Sequence, residues 1–313
     1  MSKIIDIAGK KDCGNATGIN TGVLGCLSLF GTPLHLIALQ KGFIIPGDTE
    51  FNKAYLETLV QAGTAIPLID AAAFEDLSSE DTMSTNAGGQ ERLNLLGLPK
   101  YKLMFEEGHE FYREIAKFTS YKSYDFIIGD EAGNWMLATA NNGEDFKGFT
   151  AGQVVAEMRK TKVQGGDPES KSITVQFLDR LQWDRNYAIL HQDFLDFVPQ
   201  EVPTINGIDL KIIGIPAEAA TTIVVEAPLA SDEVTPVIGL IKEDFQVTIN
   251  GTAETPTDAV ESPNGTYTLT ITALVALDVI TVNTWNTTVP NSVVNSNDVL
   301  YRARAIDTVV AIA

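Results

Sequence analysis

Tyr124-Asp-Phe-Ile-Ile-Gly-Asp130 runs into Glu131-Ala-Gly-Asn134 and then into Trp135-Met-Leu-Ala-Thr139, an apolar run, a turn composition and a second apolar run. That order predicts a β-hairpin, because Gly and Asn tolerate the backbone angles of a tight reversal and the flanking residues favour a pleated, half-buried surface. Downstream, Asn141-Asn-Gly143 and Lys147-Gly-Phe149 punctuate again, Gln153 to Lys160 is strand-like, Gly165-Gly-Asp-Pro168 turns, and Ile173, Val175 and Phe177 alternate onto one face. The stretch from Tyr124 to Asp184 therefore predicts a meander of at least four strands. It carries architecture and no catalytic signature.

Upstream of it, residues 1 to about 33 hold Gly9, Gly14, Gly18, Gly22, Gly25 and Gly31 among small and polar residues, which predicts an extended N-terminal arm over 1–33. Leu34 to Leu39, Lys41-Gly42 and Phe43-Ile-Ile45 before Pro46 read as a strand, a turn and a short strand. Asp48 is an expected N-cap, Phe51, Tyr55 and Leu59 recur at helical spacing, and Gly63 supplies the stop. Phe74 to Gln90 reads as an acidic loop, Lys100 to Phe105 as a strand, and Glu106 to Phe118 as a second helix weakened by Gly108. A mixed β-domain over 34–198 results.

From Pro199 the texture changes to Thr- and Val-rich segments with almost no helical signal. Gly207 to Ile213, Thr222 to Glu226, Val237 to Lys242, Phe245 to Asn250, Thr266 to Thr272, Val279 to Trp285 and Val299 to Arg304 make about seven short strands, with turn dipeptides at Asn250-Gly251 and Asn264-Gly265. About seven strands in roughly a hundred residues predict an immunoglobulin-like sandwich over 199–313. The fold class is thus mainly β: an α+β first domain, barrel or sandwich with one or two helices, followed by an immunoglobulin-like β-sandwich.

The 313 residues carry 22 basic and 41 acidic side chains, a net charge of −19, which argues against wrapping nucleic acid by phosphate neutralisation. Residues 199–313 hold 4 of the basic and 14 of the acidic residues, so both domains are anionic. Cys13 and Cys26 imply no disulfide framework, although a single bridge between them stays open as an alternative. No signal-peptide core and no run of roughly 18 apolar residues occurs, so synthesis as a soluble intracellular protein, away from membranes, is expected.

A search for chemistry selects no catalytic, cofactor-binding or metal residue. His35, His109 and His191 lie far apart in different expected elements. Cys13 lacks the partner motif of a nucleophile. The acidic pairs Asp130/Glu131 and Glu144/Asp145 lie in turns without calcium-loop spacing and read as solvated loops. Gly14, Gly18 and Gly22 are not bracketed by strand and helix as a phosphate loop requires. Asn15-Ala-Thr17, Asn250-Gly-Thr252, Asn264-Gly-Thr266 and Asn286-Thr-Thr288 match the glycosylation pattern, and without a secretory signal they mark Asn turns in Thr-rich hairpins. Trp285 reads as a sandwich core residue, and an exposed aromatic patch around it would favour a glycan-binding adhesin. An enzyme is not expected, and no cofactor.

The strand pair of Leu34–Pro46, the Asp48–Gly63 helix, the Phe74-Glu-Asp-Leu-Ser-Ser-Glu-Asp81 stretch and Asp130-Glu-Ala-Gly-Asn134 leading to Lys147-Gly-Phe149 together resemble virion structural proteins of tailed bacteriophages of Bacteroidetes hosts. With an N-terminal arm and an added immunoglobulin-like domain, the plan is similar to major tail tube proteins. The resemblance covers about residues 30 to 197. It implies a virion location after synthesis in the host cytoplasm, and hexameric rings stacked into a hollow tube through which DNA passes without specific binding. It also implies contacts with itself and with other virion proteins such as sheath or neck, and no catalytic residues. A capsid, neck or decoration protein is the alternative within the same class. Exposed strand edges that continue into a neighbouring copy would close such a ring, with the arm and the 74–90 loop reaching the next one.

Overall fold

The computed structural model describes residues 3–8, 30–85, 88–119, 124–162, 166, 168–287 and 291–311. Most of the Gly-rich N-terminal segment, with Cys13, Cys26, Asn15 and the three glycines of the phosphate-loop test, lies outside the described residues, as do Gly165 and Asp167 of the expected Gly165–Pro168 turn. The chain divides into one unit of residues 1–59 and 63–202 and a second of residues 60–62 and 203–313.

The first described residues depart from the expected extended arm. Ile4–Ile7 (α1) form one helical turn whose Ile4 and Ile7 are buried, with the Ile4 and Ile5 N–H groups bonding the carbonyls of Thr49 and Gly47. After β1 (Pro33–Gln40) and β2 (Ile44–Pro46), the helix α2 (Lys53–Gln61) starts five residues beyond the expected cap. Asn52 does the capping instead, its Oδ1 accepting from Tyr55 N–H at 2.8 Å, while Gly63 holds the expected left-handed stop at φ +71°.

The remaining elements of this unit are β3 (Ala65–Leu68), β4 (Ala73–Asp76), β5 (Thr82–Thr85), β6 (Glu91–Leu95), β7 (Lys100–Phe105), α3 (His109–Ala116), β8 (Tyr124–Asp130), β9 (Trp135–Ala140), β10 (Asp145–Lys147), β11 (Phe149–Ala156), β12 (Lys171–Phe177), α4 (Arg180–Asp184) and β13 (Tyr187–Leu190). The hairpin β8–β9 forms where the sequence places it, but the strands do not follow as a simple meander. Strand β11 returns to pair with Asp125 and Phe126 of β8, whereas β9 pairs with Ile128 and Gly129 of the same strand. One edge of β8 is therefore shared by two branches, β9–β10–β2 and β11–β12–β7–β4, and its other edge bonds β1 along its full length.

Alternation then fills a core on each face of the central strands. Leu36, Ala38, Phe126 and Ile128 face a cluster completed by Phe105, Ile115, Phe149, Val175 and Phe177. Ile37, Leu39 and Ile127 point the other way and are equally buried, as are Leu56, Trp135 and Phe197.

In the second unit the strands are β14 (Ile205–Ile208), β15 (Lys211–Ile212), β16 (Thr222–Glu226), β17 (Phe245–Ile249), β18 (Thr252–Glu254), β19 (Asp258–Ser262), β20 (Thr266–Thr270), β21 (Val279–Thr284), β22 (Val293–Ser296), β23 (Val299–Ala303) and β24 (Ile306–Val309). Two four-stranded sheets, β15–β16–β20–β19 and β18–β17–β21–β24, enclose a core of Ile223, Val225, Phe245, Val247, Tyr267, Leu269, Ile280 and Val282. Taken in chain order, the first sheet has the A-B-E-D arrangement and the second contains C-F-G, with one added strand beside C. That is the immunoglobulin-like sandwich.

It differs from the expected strand list in detail. Val237 to Lys242 is not a strand, the expected Gly207–Ile213 strand is divided between β14 and β15, β18, β19, β22 and β24 are additional, and the ribbon β22–β23 joins the parallel strand β14 in a third sheet. Tyr267 is buried with its hydroxyl donating to Val237 O at 2.8 Å and accepting from Leu240 N–H at 3.3 Å, and burial pushes its pKa up to about 12.

Candidate functional site

The acidic loop expected over 74–90 is overturned. Phe74 belongs to β4, paired with β7 in the main sheet, and β5 and β6 form a separate two-stranded hairpin. Sequence reasoning missed it because Ser, Thr, Asn and Gly dominate, yet Met83 and Leu93 sit directly opposite each other in the register. Every residue of both strands is exposed: Met83 at 55%, Leu93 at 49% and Leu95 at 68%. Large apolar side chains paired across an uncovered ribbon stabilise little unless something else covers them.

The stem of this hairpin is built to hold a direction. Ser79 bonds Leu98 twice: its N–H donates to the Leu98 carbonyl at 3.2 Å, and its hydroxyl oxygen accepts from Leu98 N–H at 3.0 Å. Gly97 is required, since a Cβ there would lie 1.9 Å from Ser79 O. Asp81 accepts from Gly97 N–H at 2.7 Å and forms an ion pair with Arg180 of α4, whose Nε also donates to Asp184 at 3.1 Å. The Gly97 N–H, followed by Arg180, holds the Asp81 carboxyl below the usual carboxylate range.

Between stem and α4 lies a groove of about 370 Å³ lined by Ser78, Glu80, Asp81, Leu98, Arg180 and Trp183, among others. Trp183 closes its floor from an aromatic cluster, with ring centroids 4.6 Å from Phe149, 4.9 Å from Phe177 and 5.1 Å from Tyr101.

The residues weighed for chemistry stand apart from this groove. His35 is buried in β1, where its Nδ1 accepts from Asp70 N–H at 3.0 Å and its ring lies 6.1 Å from Trp135. Burial lowers its pKa from 6.5 against the opposing pull of Asp70 and Asp130. The unfolded chain therefore takes up this proton first as pH falls. The associated stability is full above about 6.5 and is lost as pH drops from there toward the folded value. We expect the urea midpoint to fall between pH 7.5 and pH 5.5, and His35→Gln to flatten that slope.

His109 is exposed at the start of α3 beside Arg159 and Glu169, and His191 is buried after β13, so no two histidines share an element. Asp130 is wholly buried and its oxygens are occupied by backbone and side-chain donors, which is the opposite of the solvated loop the sequence suggests. Asp145 accepts from Gly47 N–H at 3.2 Å and from Asn141 Nδ2. Trp285 is half-buried rather than a core residue. Among the described residues no group of three or more His, Cys, Asp or Glu has a metal-binding arrangement, and no helix is long and apolar enough to cross a membrane.

No family model matches the chain, and no curated protein does. Among solved structures, the full ectodomain (Ig1–Ig3) of mouse nectin-like molecule 4 aligns over 90% of this chain and 95% of its own, at 11% identity and a TM-score of 0.18.

Proposed function

We propose that this is a self-assembling structural protein of a virion, the subunit of a tail tube built from stacked rings. The observation that carries the reading is the β5–β6 hairpin. Its Met83–Leu93 pair and Leu95 are uncovered in the single chain, on a ribbon whose stem is fixed by Gly97, Ser79 and the Arg180–Asp81 ion pair. An exposed ribbon with large apolar side chains on one face is a surface that another copy can complete. Among the described residues β3, β4 and β13 each pair along one edge alone, and the other edge offers backbone groups for lateral pairing in the same assembly. Two anionic domains also suit a conduit that DNA must traverse without adhering.

Negative-stain electron microscopy across a concentration series tests this. The expected result is rings with a central hole, stacking into tubes as concentration rises. Monomers at every concentration would overturn it.

A further inference from the structure

The groove at the foot of the hairpin has the chemistry of a receptor for an arginine. Three carboxylates border it, Glu80, Asp81 and Asp184, against the single cation Arg180. Arg180 is committed to Asp81 and Asp184, which leaves Glu80 exposed and without an ion pair among the described residues. Trp183 forms the floor and presents an aromatic surface. A volume of about 370 Å³ is near the low end of ligand pockets and takes one long side chain. A flat guanidinium suits a carboxylate beside an aromatic surface, because it bonds the first in plane and packs on the second.

The hairpin itself supplies such a group. Arg92 lies on β6 opposite Ser84, exposed and without an ion pair among the described residues. In its own chain Arg92 makes no ion pair with Glu80, Asp81 or Asp184, and its partner Ser84 lies three residues beyond Asp81, about 10 Å along the extended strand. We propose that the groove of Glu80, Asp81, Asp184 and Trp183 receives Arg92 from the hairpin of a second copy. Arg92 shares its face of the ribbon with Ser84 and Asn94, opposite to Met83, Leu93 and Leu95, so this docking leaves the apolar face free. Charge selects this occupant: an acidic hairpin would be repelled, and Arg92 is the only cation on either strand.

The contact joins two different surfaces, so each copy still offers a free hairpin and a free groove. It therefore propagates into a closed ring or an open stack. This inference rests on the assembly reading above and adds to it a contact made by the opposite face of the same hairpin.

The test compares the full-length chain with Arg92→Glu, Glu80→Lys and the double variant R92E/E80K, by sedimentation velocity and electron microscopy at a concentration where the parent chain assembles. Each single variant is expected to raise the concentration needed for assembly about tenfold or more, by placing like charges together, and the double variant to restore it. Both residues are exposed, so the thermal midpoint should be unchanged in all three. Single variants that assemble like the parent, or a double variant that stays dispersed, would overturn this contact while leaving self-assembly standing. A parent chain that never assembles would overturn both.

Discussion

Asp130→Ala is expected to destabilise the first unit by about 3–4 kcal/mol, because it removes a buried charged acceptor and strands its donors. The carboxylate ends β8 with no exposure and gathers four of them: Gly31 N–H at 2.8 Å, Ala132 N–H at 2.9 Å, Asn134 N–H at 2.8 Å and Asn134 Nδ2 at 2.9 Å. Three close the β8–β9 turn, and the fourth fixes the chain as it enters β1. Urea unfolding followed by tryptophan fluorescence reads the loss, since Trp135 begins the strand after the turn. Asp130→Asn keeps an acceptor at the site and should recover part of it. An alanine variant as stable as the parent would show that water replaces the carboxylate.

Phe177→Ala should cost a similar amount, about 3–5 kcal/mol, as large-to-small substitutions in a packed core do. Phe177 is fully buried at the end of β12, with ring centroids 6.5 Å from Phe126, 6.2 Å from Phe149, 5.8 Å from Tyr101 and 4.9 Å from Trp183. These rings come from β7, β8, β11 and α4, so the cavity would open where the β11–β12–β7 branch meets β8. Phe177→Leu fills most of that space and should lose less than half as much. Equal losses for the two variants would mean that the site collapses around either side chain.

Local patterns carried much of this architecture into view. The turn at Asp130–Asn134 and the alternation of Ile173, Val175 and Phe177 are short-range signals, and both elements form where they predict. The strands expected over Phe245–Asn250 and Thr266–Thr272 likewise form, and Phe245, Val247, Tyr267 and Leu269 lie in the sandwich core. What stayed hidden depends on partners distant in sequence. Nothing in β8 announces that its two ends bond different strands. The β5–β6 hairpin was unreadable because its apolar residues are few and no periodic face surrounds them. Asp130 read as solvated because a carboxylate in a turn usually is, and one of its donors, Gly31, reaches it across 99 positions. The groove is invisible in sequence for the same reason, since Asp81 and Arg180 meet only after folding.

The shared strand β8 also sets the order in which this chain can acquire its structure. Its partner β1 lies about ninety positions earlier, and the ladders it anchors extend to β12 and β13. Pairings of such separation must close long loops before any contact rewards them, which slows the search. During synthesis β1 can pair early with β3, about thirty positions on, but its other edge would wait for Tyr124 onward. The second unit has the same property, since β14 at its start pairs in parallel with β23 near residue 300. Each unit therefore becomes whole only late in its own translation, and the interval before that is when a nascent copy is most exposed to pairing with the wrong neighbour.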